Sequence, residues 1–150
     1  MKRKLFRNIV IATDGSKNVQ RAISHGIEFA KLSGAIVHAL YVVNTPSTIS
    51  ENWTAGKETI YNIMKNDGKK AVSKIKEIGE ASGVEVREVL LEGYPSNEII
   101  DFAENNNIDL IVMGSLGATG LERFLIGSVA ETVVRGSKVP VLVVRSEKQS

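Results

Sequence analysis

Five strand-length apolar runs, separated by helical patterns, constrain what this chain can fold into more than any other feature. The runs are Asn8 to Thr13, Ala35 to Val43, Val84 to Leu91, Asp109 to Met113 and Val141 to Val144. They are rich in Val, Ile and Leu, and the first, fourth and fifth show little strict alternation. Near-continuous apolar runs are what strands need when helices cover both faces of a parallel sheet. The stretch from Ser16 to Leu32 repeats apolar residues at helical spacing: Val19, Ala22, Ile23, Gly26, Ile27 and Ala30 share one face. Ser16 is placed to cap its start and Gly34 to end it. A second helix spans about Thr54 to Ser82, with Ile60, Met64, Ala71, Ile75 and Ile78 inward and Lys57, Lys65, Lys69 and Lys76 outward. A third starts at Pro95-Ser96 and fades at Asn105-Asn106-Asn107. A fourth runs from near Gly127 to Gly136, and Pro140 then opens the last strand. Strands alternating with helices imply right-handed βαβ units in a layered α/β fold.

The 150 residues suit one domain spanning 1–150, long enough to bury roughly 70% of the unfolded chain's surface. The absence of cysteine excludes disulfides, thiolate zinc sites and cysteine nucleophiles, and suits a cytoplasmic location. A net charge of +2 is too weak to argue for nucleic acid. No apolar run approaches the roughly 20 residues of a membrane span. Met1 to Phe6 is basic, but the apolar stretch after it stops at Asp14, so it reads as the lead-in to a strand and not as a signal peptide. The polar connection Asn44 to Asn52 reads as a loop.

Two loops carry the chemistry. Gly114-Ser115-Leu116-Gly117 follows the fourth strand, and nine residues later Gly127-Ser128 opens a helix. Glycines let backbone approach an anion closely, and a helix N-terminus offers it unpaired N–H groups. The other loop is Ala12-Thr13-Asp14-Gly15-Ser16, after the first strand. In an open parallel sheet, ligands bind beyond the carboxyl ends of the strands where strand order reverses. If the first and fourth strands are neighbours, Thr13, Asp14, Ser115 and Ser128 surround one crevice. Gly117, Gly127, Ser128 and Val129 can then present backbone N–H groups to phosphate oxygens. Asp14 would repel phosphate, and suits hydrogen bonds from a base amino group or a ribose hydroxyl. The spacing is not a Walker A loop, since no Gly-Lys-Ser/Thr follows, nor a Gly-x-Gly-x-x-Gly dinucleotide fingerprint.

On these residues the chain resembles the universal stress protein family over nearly its whole length. The likeness rests on Ile9 to Ser16, on Gly93-Tyr94-Pro95, and on Gly-x2-Gly-x9-Gly-Ser running from Gly114 to Ser128 and closing on Val139 to Val144. The glycine spacing resembles the ATP-binding branch. The resemblance implies an open five-stranded parallel sheet, order 3-2-1-4-5, with helices on both faces, as in adenine nucleotide alpha hydrolase-like proteins. It implies that Asp14 and the backbone of Val42 meet adenine, that Ala12, Thr13 and Gly114 line the ribose side, and that Gly117, Gly127, Ser128 and Val129 hold the phosphates. It also implies a homodimer paired through Val141 to Val144. Ala12 stands where many members have proline, and Leu116 where many have histidine or arginine.

The expected function is an ATP-binding regulator or sensor in a stress response, with ATP bound alone or with Mg2+. No catalytic residue and no protein metal site is assigned, because no positioned base accompanies the phosphates. The alternatives are a slow ATPase in which Asp14 helps to hold magnesium or water, and a dimeric interaction module that nucleotide stabilises. His25 and His38 are isolated and read as structural or surface residues. Arg123 reads as a solvated loop residue, and Trp53 and Tyr61 as anchors of the polar connection.

Overall fold

The computed structural model describes residues 5–45, 55–116 and 126–146. Its strands are β1 (Asn8–Thr13), β2 (Ile36–Asn44), β3 (Val86–Gly93), β4 (Leu110–Gly114) and β5 (Val141–Val144). They form one sheet in the order β3-β2-β1-β4-β5, with every pairing parallel. Its helices are α1 (Gln20–Ser33), α2 (Ala55–Ala81), α3 (Pro95–Asn105) and α4 (Ser128–Gly136). The fold is thus the single-domain α/β arrangement that the apolar runs imply.

The pleat explains how one sheet feeds two cores. Alternate residues of β1 point to opposite faces. Ile9 and Ile11 pack with Ala22, Ile23 and Ile27 of α1 and with Val72 and Ile75 of α2. Val10 and Ala12 pack with Ile99 and Ala103 of α3 and with Ala130 and Val133 of α4. Both faces of β1 are therefore dry, which is why its sequence does not alternate. At its start, Asp109 accepts hydrogen bonds through Oδ2 from the N–H groups of Arg7 (2.8 Å) and Asn8 (2.9 Å), tying β1 to the chain entering β4.

Several local expectations need correction. Ser16 does not cap α1. A short 3-10 turn, Lys17–Val19, intervenes, and the Ser16 hydroxyl makes no capping bond. The Ser16 N–H instead donates to Asp14 Oδ1. Helix α1 does close at Gly34, whose N–H donates to the Ala30 carbonyl. Strand β3 begins two residues later than its apolar run, because Ser82-Gly83 turns the chain back onto α2 through Val84 N–H to Gly79 carbonyl. Helix α2 keeps Ile75 buried and Met64 and Ala71 half-buried, as expected, but not its other two isoleucines. Ile60 and Ile78 are exposed, and the inward stripe runs through Gly68, Val72, Ile75 and Gly79. Glycine mattered more than isoleucine there, because the helix lies almost on the sheet. A Cβ at Gly68 would stand 2.5 Å from Tyr41 Cδ1 and 2.6 Å from Leu90 Cδ1. Among the described residues, no helix is long and apolar enough to cross a membrane.

Candidate functional site

Strand order decides where a site can form. From β1 the chain leaves towards α1 on one face, and from neighbouring β4 it leaves towards α4 on the other. The two departing loops diverge and leave a crevice at the carboxyl ends of the strands. A cleft of about 330 Å3 occupies this position. Ala12, Thr13, Asp14, Val42, Gly114, Gly127, Ser128 and Val129 all line it. Gly117 and Arg123 lie outside the described residues, as do Trp53 and the connection beyond Thr45.

The β1 side of the cleft is shaped by two tight local hydrogen bonds. Thr13 Oγ1 accepts from the Gly15 N–H at 3.0 Å, and Asp14 Oδ1 accepts from the Ser16 N–H at 2.9 Å. The Asp14 carboxylate is thereby oriented while it stays exposed on the cleft wall. On the β4 side, Gly114 lies against the 3-10 turn after β1. A Cβ there would come within 3.3 Å of the Asn18 carbonyl oxygen. Glycine at the end of β4 lets the two halves of the site close on each other.

Helix α4 supplies the donors. Gly127 is its N-cap, and Ser128 is its first helical residue rather than the cap. The Gly127 N–H already donates to the Ser115 carbonyl, and Ser115 N–H donates to the Val144 carbonyl at 3.0 Å. The loop is thus bolted to β5. The first turn of α4 begins with Ser128 and Val129 on the cleft wall and has no side-chain capping bond. Those first amides lack an intrahelical acceptor, which makes them donors for an anion.

Register explains the position of Val42. The ladder between β1 and β2 ends at Thr13 opposite Tyr41, whereas that between β2 and β3 continues to Asn44 opposite Gly93. The Ile36 N–H turns towards β1, onto the Arg7 carbonyl. Two-residue alternation therefore turns the backbone of Val42 the same way, beyond the last β1 pair.

Other cleft residues escaped the sequence reading. Leu40, Ile99 and Met113 give an apolar floor, and Tyr41 and Met64 stand on the α2 side. Tyr41 adjoins Val42, and Met64 has helical inward spacing, so both carried a signal. Only the strand order shows that they share one cavity. Burial, then the nearby Asp67 and Asp14 carboxylates, raises the Tyr41 pKa above its ordinary 10.0. Its phenol is therefore protonated at neutral pH. His38 lies at the opposite end of the sheet. Its Nε2 meets Asn8 Oδ1 at 3.1 Å, and its ring meets Phe102 edge-on. His25 Nδ1 donates to the Arg21 carbonyl one turn back in α1. The Tyr61 hydroxyl donates to Glu92.

The family model of the universal stress proteins matches residues 5–145. Universal stress protein MJ0531 of Methanocaldococcus jannaschii is 44% identical over 97% of this chain and 85% of its own. The solved structure of MJ0577, from the same organism, superposes with a TM-score of 0.84 at 31% identity, covering 97% of this chain and 99% of that one. A universal stress protein from Archaeoglobus fulgidus, solved in complex with dAMP, superposes at 0.65 with 25% identity over 94% of this chain and 99% of its own. Sequence, strand order and architecture agree, and the chain belongs to the universal stress protein family.

Proposed function

We propose that the chain is an ATP-binding universal stress protein, acting in the cytoplasm as a nucleotide-dependent regulator or sensor and paired as a homodimer through β5. The observation that carries this reading is the cleft itself. It joins an apolar floor, an oriented carboxylate and the open first turn of α4 at the switch point between β1 and β4. Its volume is within the usual range for small-molecule sites, about 300–1,000 Å3. In this reading Asp14 and the Val42 backbone receive adenine, and Ala12, Thr13 and Gly114 flank the ribose. Ser128 and Val129 donate to the phosphates, with Gly127 and Gly117 leaving room for them. The dAMP complex of the Archaeoglobus fulgidus relative supports an adenine nucleotide as the ligand class.

Binding without rapid turnover is the expected mode, since phosphoryl transfer needs a positioned base or water-orienting group. The test is thermal unfolding and phosphate release in ATP with Mg2+. ATP at about 100 times its Kd stabilises the fold by about 2.7 kcal/mol. No stabilisation at millimolar ATP defeats the reading. Phosphate release that disappears in Asp14→Ala moves the function to a slow ATPase. Gly127→Val should fold and lose ATP, because Gly127 lines the cleft at the α4 N-cap and a branched side chain there would hinder close approach of an anion.

A further inference from the structure

Tyr41 lines the cleft, yet none of the proposed nucleotide contacts employs it. It forms the last rung of the β1–β2 ladder, opposite Thr13, and directly precedes Val42. Alternation turns its side chain to the face of the sheet that α1 and α2 cover, where it packs against their core. The cleft reaches that face, because Met64, one turn before Gly68 on α2, lines it as well. The ring is held along both edges. On one edge, a Cβ on Gly68 would stand 2.5 Å from Cδ1 and 2.9 Å from Cε1. On the other, a Cβ on Gly15 would stand 3.9 Å from Cε2. Gly15 also has a φ of +79°, which favours glycine at that position. Cε2 adjoins the carbon that bears the hydroxyl, and Gly15 directly follows Asp14. The phenol and the Asp14 carboxylate therefore belong to one stretch of cleft wall.

That stretch offers a donor and an acceptor side by side. The Tyr41 hydroxyl makes no hydrogen bond among the described residues. Burial, then Asp67, then Asp14 oppose its ionisation, so it is a donor at neutral pH. Asp14 is a pure acceptor. Its Oδ1 is engaged by the Ser16 N–H, and its Oδ2 makes no hydrogen bond among the described residues. Asp67 is exposed and is not part of the cleft lining, so Asp14 is the carboxylate that shares a ligand with the phenol. Adenine presents the matching pair. Its exocyclic amino group donates, and the ring nitrogens N1 and N7 on either side of that group accept. A purine with a carbonyl in place of the amino group sets acceptor against acceptor at Asp14.

We infer that Tyr41 selects the base: its hydroxyl donates to the ring nitrogen beside the amino group that Asp14 accepts, so that adenine is preferred to a purine carrying a carbonyl there. This rests on the nucleotide reading above and deepens it. The two glycines fix the ring before the ligand arrives, so little side-chain freedom is lost on binding. A site built to hydrogen-bond one edge of a base rejects an analogue that leaves its polar groups unpaired.

The test is calorimetric titration of the intact wild type and of Tyr41→Phe, which keeps the ring between Gly15 and Gly68 and removes only the hydroxyl. The ligands are ATP, inosine triphosphate, and the two ATP analogues in which N1 or N7 is replaced by a C–H group. Wild type should bind ATP about ten-fold or more tightly than inosine triphosphate. Tyr41→Phe should bind ATP about three- to ten-fold more weakly than wild type does. One of the two analogues, the one lacking the nitrogen that the phenol reaches, should bind wild type with a similar loss. Its affinity should then be unchanged by Tyr41→Phe within about two-fold. Equal wild-type affinities for ATP and inosine triphosphate, an ATP affinity unchanged in Tyr41→Phe, or equal losses for ATP and both analogues overturns the role of Tyr41 while leaving the nucleotide site standing. If the ligand-free unfolding curve of Tyr41→Phe is shifted, the wild type decides alone: ATP bound no better than both analogues overturns the role. A wild type that binds no ATP overturns the nucleotide reading and the role together.

Discussion

At the scale of single residues, two polar groups make testable demands. His38 is only 8% exposed, between Asn8 of β1 and Phe102 of α3, with Arg87 and Glu85 of the neighbouring β3 segment nearby. Burial first, then Arg87, lowers its pKa below the ordinary 6.5, and Glu85 only partly opposes them. The unfolded chain therefore takes up a proton at a pH where the folded one does not. Stability from this group is complete above pH 6.5 and falls as pH drops from 6.5 towards the folded value. Thermal unfolding of wild type and His38→Leu between about pH 7.5 and about pH 5 should lose this component only in wild type. Asp109 makes the other demand, because its Oδ2 serves two backbone donors at once. Asp109→Ala should cost about 1–2 kcal/mol in chemical denaturation without altering nucleotide affinity. Asp14 and Gly114 could be placed together from the sequence because each stands at the end of a strand-length apolar run, where an open parallel sheet forms its crevice. Asp109 was read only as the first residue of a strand, because its partners lie a hundred residues away.

At the scale of elements, strand and helix existence was legible, and the inward face of α2 was legible at Met64, Ala71 and Ile75 but not at its ends or its glycines. Every residue of the expected α1 face, from Val19 to Ala30, is buried. The pattern succeeded there because α1 packs on the sheet through ordinary apolar side chains. On α2 the same logic pointed to Ile60 and Ile78, which are exposed, since the closest approach to the sheet is made by glycine. A period count scores glycine as neutral, so the glycines on which a helix is seated go unread. This contact has a consequence for the site, because Gly68 lies beneath Tyr41, which lines the cleft. Gly68→Val would drive its side chain into Tyr41 and Leu90. It should destabilise the fold by about 1–3 kcal/mol. It should also weaken ATP binding through the displaced phenol, whereas a purely global effect would leave the affinity of the folded fraction unchanged. Calorimetry below the melting transition separates the two.

At the scale of the whole molecule, strand order does the decisive work. The loops after β1 and β4 are about a hundred residues apart in sequence, and no periodicity could have joined them. The resemblance to the family supplied their adjacency before the fold did. The same order leaves two strands at the edges of the sheet, and their chemistry differs. The β3 edge carries exposed Arg87, Glu88 and Glu92, and Glu88 lies 3.9 Å from Lys76. Charged residues of this kind protect an edge from pairing with another chain. The β5 edge is Val-Leu-Val-Val, with Val141, Leu142 and Val143 only half-buried in the single chain. An uncharged, partly open edge is a template for a second strand, which is the physical case for the proposed dimer. Because Ser115 N–H is bonded to the Val144 carbonyl, pairing at β5 would also stiffen the cleft wall at Ser115. Sedimentation equilibrium at micromolar concentrations should give a dimer for wild type and a folded monomer for Val143→Lys, which sets a charge on the apolar edge. The monomer should bind ATP more weakly than the dimer, since its β5 is free to fray and to loosen Ser115 on the cleft wall. A monomeric wild type would refute the dimer. A monomeric variant with wild-type ATP affinity would instead uncouple the edge from the site.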